Sequence, residues 1–275
     1  FFNRHEHEVV EIEILPPALE PLNTCVLEDG RNLGVSKKGL AAAFLLARRL
    51  FFINAEKDGP SPQTANDASK IILLFDPEHL TAANFRKKRI LEYRGQSGFK
   101  DVVRREIVFL DSILTSPLHR QSKSPTLWYH RTWLLKFAVA ELKEEEDVFK
   151  FVEEELRAVC KSGERHPKNY YAWQYGRNLI KTLYSSTFGE KSSSEGVQQL
   201  LYKCAVEVKT WCCKNASDIS GWGFLLFLLR LLEFDSESQE RKMEIVEGVV
   251  EFATKLEWEG GSLWVFLRTA LADPI

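Results

Sequence analysis

Few residues in this chain have a type and spacing able to do chemistry. His5 and His7 flank a glutamate in His5-Glu6-His7-Glu8, a spacing that a rigid loop could turn into part of a metal site. The stretch reads instead as a solvated terminal segment, and no metal is assigned to it. Arg86-Lys87-Lys88-Arg89 is a short basic run suited to a phosphate or an acidic partner. Its simplest reading is a helix with a structural Arg86 and solvated lysines. His166 in Arg165-His166-Pro167-Lys168 reads as a loop residue ahead of a helix, and His130 beside Arg131 as a concave-face or interface residue rather than a nucleophile's partner. There is no GxSxG, no P-loop, no GxGxxG, and no Cys/His/Asp cluster with zinc spacing. Carboxylate pairs abound on helix faces without a second cue for acid–base work, and the acidic run from Lys143 to Asp147 is a helix start.

Composition narrows the classes further. Of the 275 residues, 44% are hydrophobic and 28% charged, so the chain is globular with ample apolar content for a core. A net charge of −2 gives no global reason to bind nucleic acid or a membrane. Five cysteines (Cys25, Cys160, Cys204, Cys212, Cys213) form no CxxC pair, and their odd number fits free thiols in a reducing, cytoplasmic compartment. The apolar run from Gly221 to Leu232 is too short to span a bilayer and is interrupted by Arg230. No signal peptide is visible, and a chain starting at Phe1 is expected to lack its native N-terminus.

The elements that position these residues repeat. Trp128 and Arg131 stand three apart in a helical stretch and share a face. Tryptophan returns at Trp173, Trp222 and Trp264, with Ala83 at the corresponding place upstream, at intervals of 45, 45, 49 and 42 residues. That period exceeds the roughly 34 of tetratricopeptide units and is near the roughly 40–47 of stacked helical pairs. A second amphipathic segment precedes the next anchor each time, at 68–75, 100–114, 144–160, 197–213 and 241–256. In the second of these, Val103, Ile107 and Leu110 form one stripe. In the third, Val148, Phe151, Val152, Leu156 and Val159 do so.

Residues 34–57 read as a first long helix. Residues 58–67 and 185–196 read as loops. Residues 1–35 read as an extended arm with one strand-like stretch, 8–15, and a turn at Glu28-Asp29-Gly30; the helical domain then fills 36–275, with repeats near 68–95, 100–140, 144–184, 197–235 and 241–272. The tryptophans are expected to anchor the stacking of successive pairs, with the arginine stem along the core and its head on carbonyls or carboxylates.

These repeats resemble the α subunit repeats of protein prenyltransferases, whose pattern is Asn-Tyr-x-x-Trp-x-x-Arg. Asn169, Tyr170 and Trp173 match it in the third unit, Trp128, His130 and Arg131 in the second, and Asn84 and Arg86 in the first, where Ala83 replaces the tryptophan. The resemblance runs from about Asp76 to Leu271. Four segments, beginning at Leu73, Lys123, His166 and Ser217, resemble more narrowly the α subunit of a third protein geranylgeranyltransferase.

The resemblance implies an all-α, right-handed superhelix of about six antiparallel helix pairs, wrapped around a separate α/α barrel β subunit. That β subunit would carry the zinc and most of the isoprenoid pocket, leaving this chain without a bound cofactor. The substrates would be geranylgeranyl diphosphate and a protein with an acceptor cysteine. The family's catalytic lysine, five residues before the second tryptophan, falls on Lys123, where a fixed ammonium stabilises charge on the leaving diphosphate. From the residues alone, Lys123 reads equally as a solvated loop lysine. Lys168 stands five before Trp173, and with Tyr170, Tyr171 and His130 it would line the diphosphate and lipid wall.

The chain departs from the family at several places. Two donors of that wall are changed, at Pro125 and Tyr171, which puts the catalytic carry-over in doubt. The repeat arginine becomes Gly176, Leu225 and Leu267, with Arg177 and Arg268 one place late. A non-catalytic helical scaffold and a farnesyl or Rab prenyltransferase α subunit are the alternative expectations.

Overall fold

The computed structural model describes residues 1–19, 24–56, 60–188, 195–233 and 235–272. Twelve α-helices and one small sheet make up the described residues, an all-α helical repeat architecture. The chain divides into two units, 1–138 and 139–275, with the boundary near the end of α6.

The N-terminal unit opens with β1 (Glu11–Leu15), β2 (Val26–Asp29) and β3 (Asn32–Ser36) in the order β1-β3-β2. β1 runs parallel to β3 with Glu11 opposite Asn32; β2 runs antiparallel with Asp29 opposite Asn32. Gly30 makes the tight β2–β3 turn at φ +55°, a conformation that glycine adopts without steric cost. Ile12 and Val35 turn inward, and the backbone N–H of Val10 donates to Ser112 Oγ at 3.0 Å.

Six helices follow: α1 (Lys37–Asn54), α2 (Pro62–Phe75), α3 (Leu80–Glu92), α4 (Phe99–Leu114), the single turn α5 (His119–Ser122) and α6 (Pro125–Ala140). Ser36 caps α1 by accepting from the N–H of Gly39 at 2.9 Å. Residues 62–67, expected as a loop, are the first turns of α2. Ser61 accepts from Thr64 N–H at 3.3 Å, and Pro62 at the first helical position pre-sets the backbone where no N–H is needed. Phe44 stacks on Phe75 with ring centres 4.3 Å apart, joining α1 to α2, and Phe51 meets Phe85 edge-on at 5.1 Å.

The C-terminal unit holds α7 (Glu145–Arg165), α8 (Tyr170–Leu183), α9 (Glu195–Lys214), α10 (Ile219–Leu229), α11 (Ser236–Lys255) and α12 (Gly261–Ala272). Of the expected loop 185–196, residues up to Phe188 continue α8 as a short π-helical turn, and Glu195 and Gly196 begin α9. The remainder, 189–194, lies outside the described residues. Three acidic residues in the first turn of α7 complement its dipole. Its buried Val148, Val152, Leu156 and Val159 form the stripe expected from their spacing.

Candidate functional site

The repeat sets each anchor by a cap four residues ahead of it. His79, Ser124, Asn169 and Asp218 each accept, through the side chain, the backbone N–H three residues on. These bonds come from Ala82, Leu127, Ala172 and Gly221 at 3.2, 3.1, 3.4 and 3.1 Å. The fifth place is Gly260, which has no side chain to cap with. With the helix start fixed, the anchor lands one turn in, facing the core. Trp128, Trp173 and Trp222 are 3, 0 and 1% exposed, whereas Trp264 is 47% exposed and so departs from the buried-anchor expectation.

Three indoles donate to the carbonyl six residues earlier: Trp128 to Ser122 at 2.7 Å, Trp222 to Ala216 at 2.9 Å and Trp264 to Trp258 at 2.8 Å. Trp173 breaks the series. Its indole N–H finds no partner among the described residues, and Lys168, between it and Pro167, takes φ 61°. Asn84 is exposed one residue after Ala83, and the place equivalent to Asn169 belongs to His79.

Neighbouring loops are stitched together at these helix starts. In the N-terminal unit Ser124 Oγ donates to Pro77 O at 3.1 Å, Thr126 Oγ1 to Glu78 at 2.6 Å and Gln121 Nε2 to Leu74 O at 2.8 Å. In the C-terminal unit the Lys168 N–H donates to Asp218 Oδ2 at 2.6 Å, and Ser262 Oγ to Ser217 O at 3.1 Å. Lys123 is therefore the half-buried residue directly before the N-cap of α6, next to the positive end of the helix dipole. Lys168 holds the same place before α8, exposed, with the exposed Tyr170 and Tyr171 edge-to-face at 5.8 Å just after it. Each lysine adds a cation to the positive end of a helix dipole, which is where an anion is best received.

His130 does not share that surface. It is fully buried on α6, its Nε2 3.5 Å from Glu106 Oε1, and it edges Trp133. Burial pushes its pKa down to about 4, with Lys87 and Arg86 adding to the effect and Glu106 opposing it. It is neutral at pH 7 and acts as a core residue. Burial alone would raise Glu106, yet the Arg86 guanidinium, by its charge and its hydrogen bonds, outweighs it and holds the carboxyl below the usual range. Arg86 donates Nε to Glu106 at 2.9 Å, and Nη1 to Ser69 Oγ at 2.8 Å and Asn66 O at 3.1 Å, while its guanidinium lies 4.6 Å from the Phe109 ring centre. Arg131, also buried, pairs with Asp111.

Beside this network lies a cleft of about 150 Å³, lined by Lys70, Arg86, Arg105, Glu106, Glu6 and Phe2 among others. Burial, and then Arg86, push the Lys70 ammonium below its usual range, and Lys70 donates to Asn3 at 2.6 Å. A second cationic face joins α3 to α6. Lys87 and Lys136 sit 5.8 and 5.2 Å from the Trp133 ring centre, near an exposed Tyr129. Neither was read from the sequence. Glu106 sits in an amphipathic helix where a carboxylate looks solvated, and only tertiary packing turns it inward. The cap row was legible in principle, as a polar residue recurring four places before the first four anchors.

The C-terminal unit answers the missing arginines with apolar packing. A Cβ at Gly176 would meet Phe224 at 3.0 Å, and Leu225 and Leu267 are core residues. Arg177 lies over Phe224 and Phe227 at 5.6 and 5.8 Å instead of reaching the repeat arginine's position, and donates to Trp173 O at 3.2 Å. Among the described residues no three His, Cys, Asp or Glu side chains gather to hold a metal ion. His5 and His7 go to Glu8 and Asp101, at 3.5 and 3.7 Å. Among the described residues no helix is long and apolar enough to cross a membrane.

The sequence is similar to those of known proteins. The chain is 28% identical to protein prenyltransferase alpha subunit repeat-containing protein 1-A of Xenopus laevis over 60% of its length and 37% of that relative's. It is 25% identical to protein prenyltransferase alpha subunit repeat-containing protein 1 of Homo sapiens over 84% of its length and 56% of the relative's. The chain is thus similar in sequence to proteins named for prenyltransferase alpha subunit repeats. It spans 37 to 56% of the length of these two relatives. Residues 127–249, which hold the second to fourth tryptophan anchors' helices from Leu127 to Val249, also match the ECM9 middle domain family.

Proposed function

We propose that this chain is the α-type subunit of a heterodimeric protein geranylgeranyltransferase. Its partner would be an α/α barrel β subunit carrying zinc and the lipid pocket. In the reaction a substrate cysteine thiolate attacks C1 of geranylgeranyl diphosphate. The C–S bond forms, the C–O bond breaks, diphosphate leaves and the thiol proton goes to solvent. The partner's zinc would supply the thiolate by lowering the thiol pKa. This chain supplies Lys123 to the diphosphate, together with the exposed α3–α6 face around Tyr129 and Trp133 for contact. The setting is the reducing cytoplasm.

The observation that carries the reading is the placement of Lys123. It stands directly ahead of the Ser124 cap, where an ammonium and the start of α6 would together receive one anion, in a chain similar to proteins named for prenyltransferase α subunit repeats. The test is coexpression with prenyltransferase β subunits, size exclusion, and transfer to a cysteine-bearing acceptor. A stable heterodimer whose turnover falls roughly 10- to 1000-fold on Lys123→Ala is expected. Turnover indifferent to that change overturns the lysine's role.

The replacement of the repeat arginine by Gly176, Leu225 and Leu267 favours a second reading, a helical-repeat scaffold that has lost the enzyme partnership. A chain that binds no barrel subunit would support it.

A further inference from the structure

The outer face of α1 is unlike that of an ordinary solvent-facing helix. Its inner side buries Leu40, Ala47, Phe51 and Asn54. Its outer side exposes four large apolar residues: Leu45 at 67%, Leu46 at 60%, Phe52 at 49% and Ile53 at 54%. These are not scattered. Lys38, Ala42, Leu45, Arg49 and Phe52 succeed one another at intervals of three or four and are all exposed, so they form one stripe, with Leu46 and Ile53 flanking it. Single exposed apolar residues are normal on a soluble surface, whereas a contiguous stripe marks a surface that something covers. In helical repeats the outer face of a terminal helix is ordinarily polar.

The charge on α1 says what covers it. The helix carries Lys37, Lys38, Arg48 and Arg49 and no acidic residue between Lys37 and Asn54; the first acid, Glu56, follows its end. A second copy of the same face would set four cations against four. Arg49 lies within the apolar stripe itself, between Leu45 and Phe52. A dry seam against a partner helix would strip that guanidinium of water. A lipid headgroup layer would not, because arginine stems lie along the apolar surface while their heads reach up to phosphates. Arg48 already lies this way, its guanidinium 5.7 Å from the Phe52 ring centre.

We propose that α1 is a docking helix for an anionic phospholipid surface: Leu45, Leu46, Phe52 and Ile53 enter the acyl boundary while Lys37, Lys38, Arg48 and Arg49 meet the headgroups. The proposal is independent of the prenyl-transfer reading.

The test is sedimentation of the full chain with vesicles of phosphatidylcholine alone and with about 30 mol% phosphatidylserine. Binding to the anionic vesicles at least roughly tenfold above the neutral ones, and lost at about 0.5 M salt, is expected. Leu45→Glu with Phe52→Glu, and separately Arg48→Glu with Arg49→Glu, should each cut it at least about tenfold. Both pairs are solvent-exposed, and an unchanged melting temperature shows the fold intact. A wild-type chain that stays in the supernatant with both compositions overturns the proposal and leaves the face to a protein partner. Binding that ignores salt and lipid charge, or that survives both double substitutions, overturns it as well.

Discussion

The two units solve one packing problem with opposite chemistry. In the N-terminal unit the repeat arginines are buried against carboxylates: Arg86 on Glu106, flanked by neutral His130, and Arg131 on Asp111. In the C-terminal unit the same places hold Gly176, Leu225 and Leu267, and indoles meet rings directly, Trp173 with Trp211 at 4.8 Å and Trp222 with Phe266 at 5.0 Å. A buried ion pair adds little net stability over well-packed apolar groups, because desolvation offsets attraction, but it is costly to break in half. The N-terminal unit is thus sensitive to charge and pH, and the C-terminal unit to volume.

The largest effect expected is on the apolar side. Trp173→Ala should cost about 3–5 kcal/mol in urea unfolding, whereas the same change at half-exposed Trp264 should cost clearly less. Equal costs would break the link drawn here between anchor burial and stability. On the charged side, Glu106→Ala strands Arg86 and should cost about 3–5 kcal/mol, while Arg86→Met combined with Glu106→Leu should recover most of that loss. A double variant as unstable as the single one would mean that the pair contributes more than its desolvation penalty.

Acidification should act through His130. Its folded-state pKa of about 4 lies below the ordinary value near 6.5, so between these limits the unfolded chain takes up a proton that the folded chain refuses. Stability is fully present above about pH 6.5 and falls by about 3 kcal/mol as pH drops towards 4. Glu106, held low by its partners, extends the loss in the same direction below that window. Urea midpoints measured across this range should slope downward towards acid, and His130→Phe should flatten the slope. A slope unchanged by that substitution would remove His130 as the cause.

The smallest structural effect concerns Gly176, where Gly176→Ala presses a methyl on Phe224 while gaining about 1 kcal/mol of helix propensity, for a net change within about 1 kcal/mol. The thiols give a further check. Burial raises Cys160, Cys204 and Cys212, with Cys204 pushed up to about 12, so a thiolate-selective reagent at pH 8 should leave these three unmodified in the native chain while Cys25, exposed, reacts.

The helices and their period were legible because the anchor and the apolar stripe recur at fixed spacing, although α2 and α11 start six and five residues before their expected places. The start of α2 was not, since Ser61-Pro62 and the polar residues after it have the composition of a loop while acting as a cap. The pairing of β1 with β3 depends on partners some twenty residues apart, which no local pattern reveals. Within the candidate site, Lys123 and Lys168 stood out only through the family resemblance, five residues before their tryptophans, and the burial of His130 and Glu106 did not stand out at all. A polar residue on a helix gives no sign of which neighbour will cover it, and that choice is made by α4 and α6 together.

The stitched helix starts carry a mechanical consequence. The links from Ser124, Thr126 and Gln121 to residues 74–78, from Lys168 to Asp218 and from Ser262 to Ser217 are a few hydrogen bonds, each worth about 0.5–1.5 kcal/mol, or about 1.5–3 where a carboxylate accepts. The buried indoles a turn further in are several times stiffer to displace. Within each unit the loop edge is therefore the compliant side and the tryptophan row the spine, so that neighbouring repeats hinge apart along their loops before they slip along their cores.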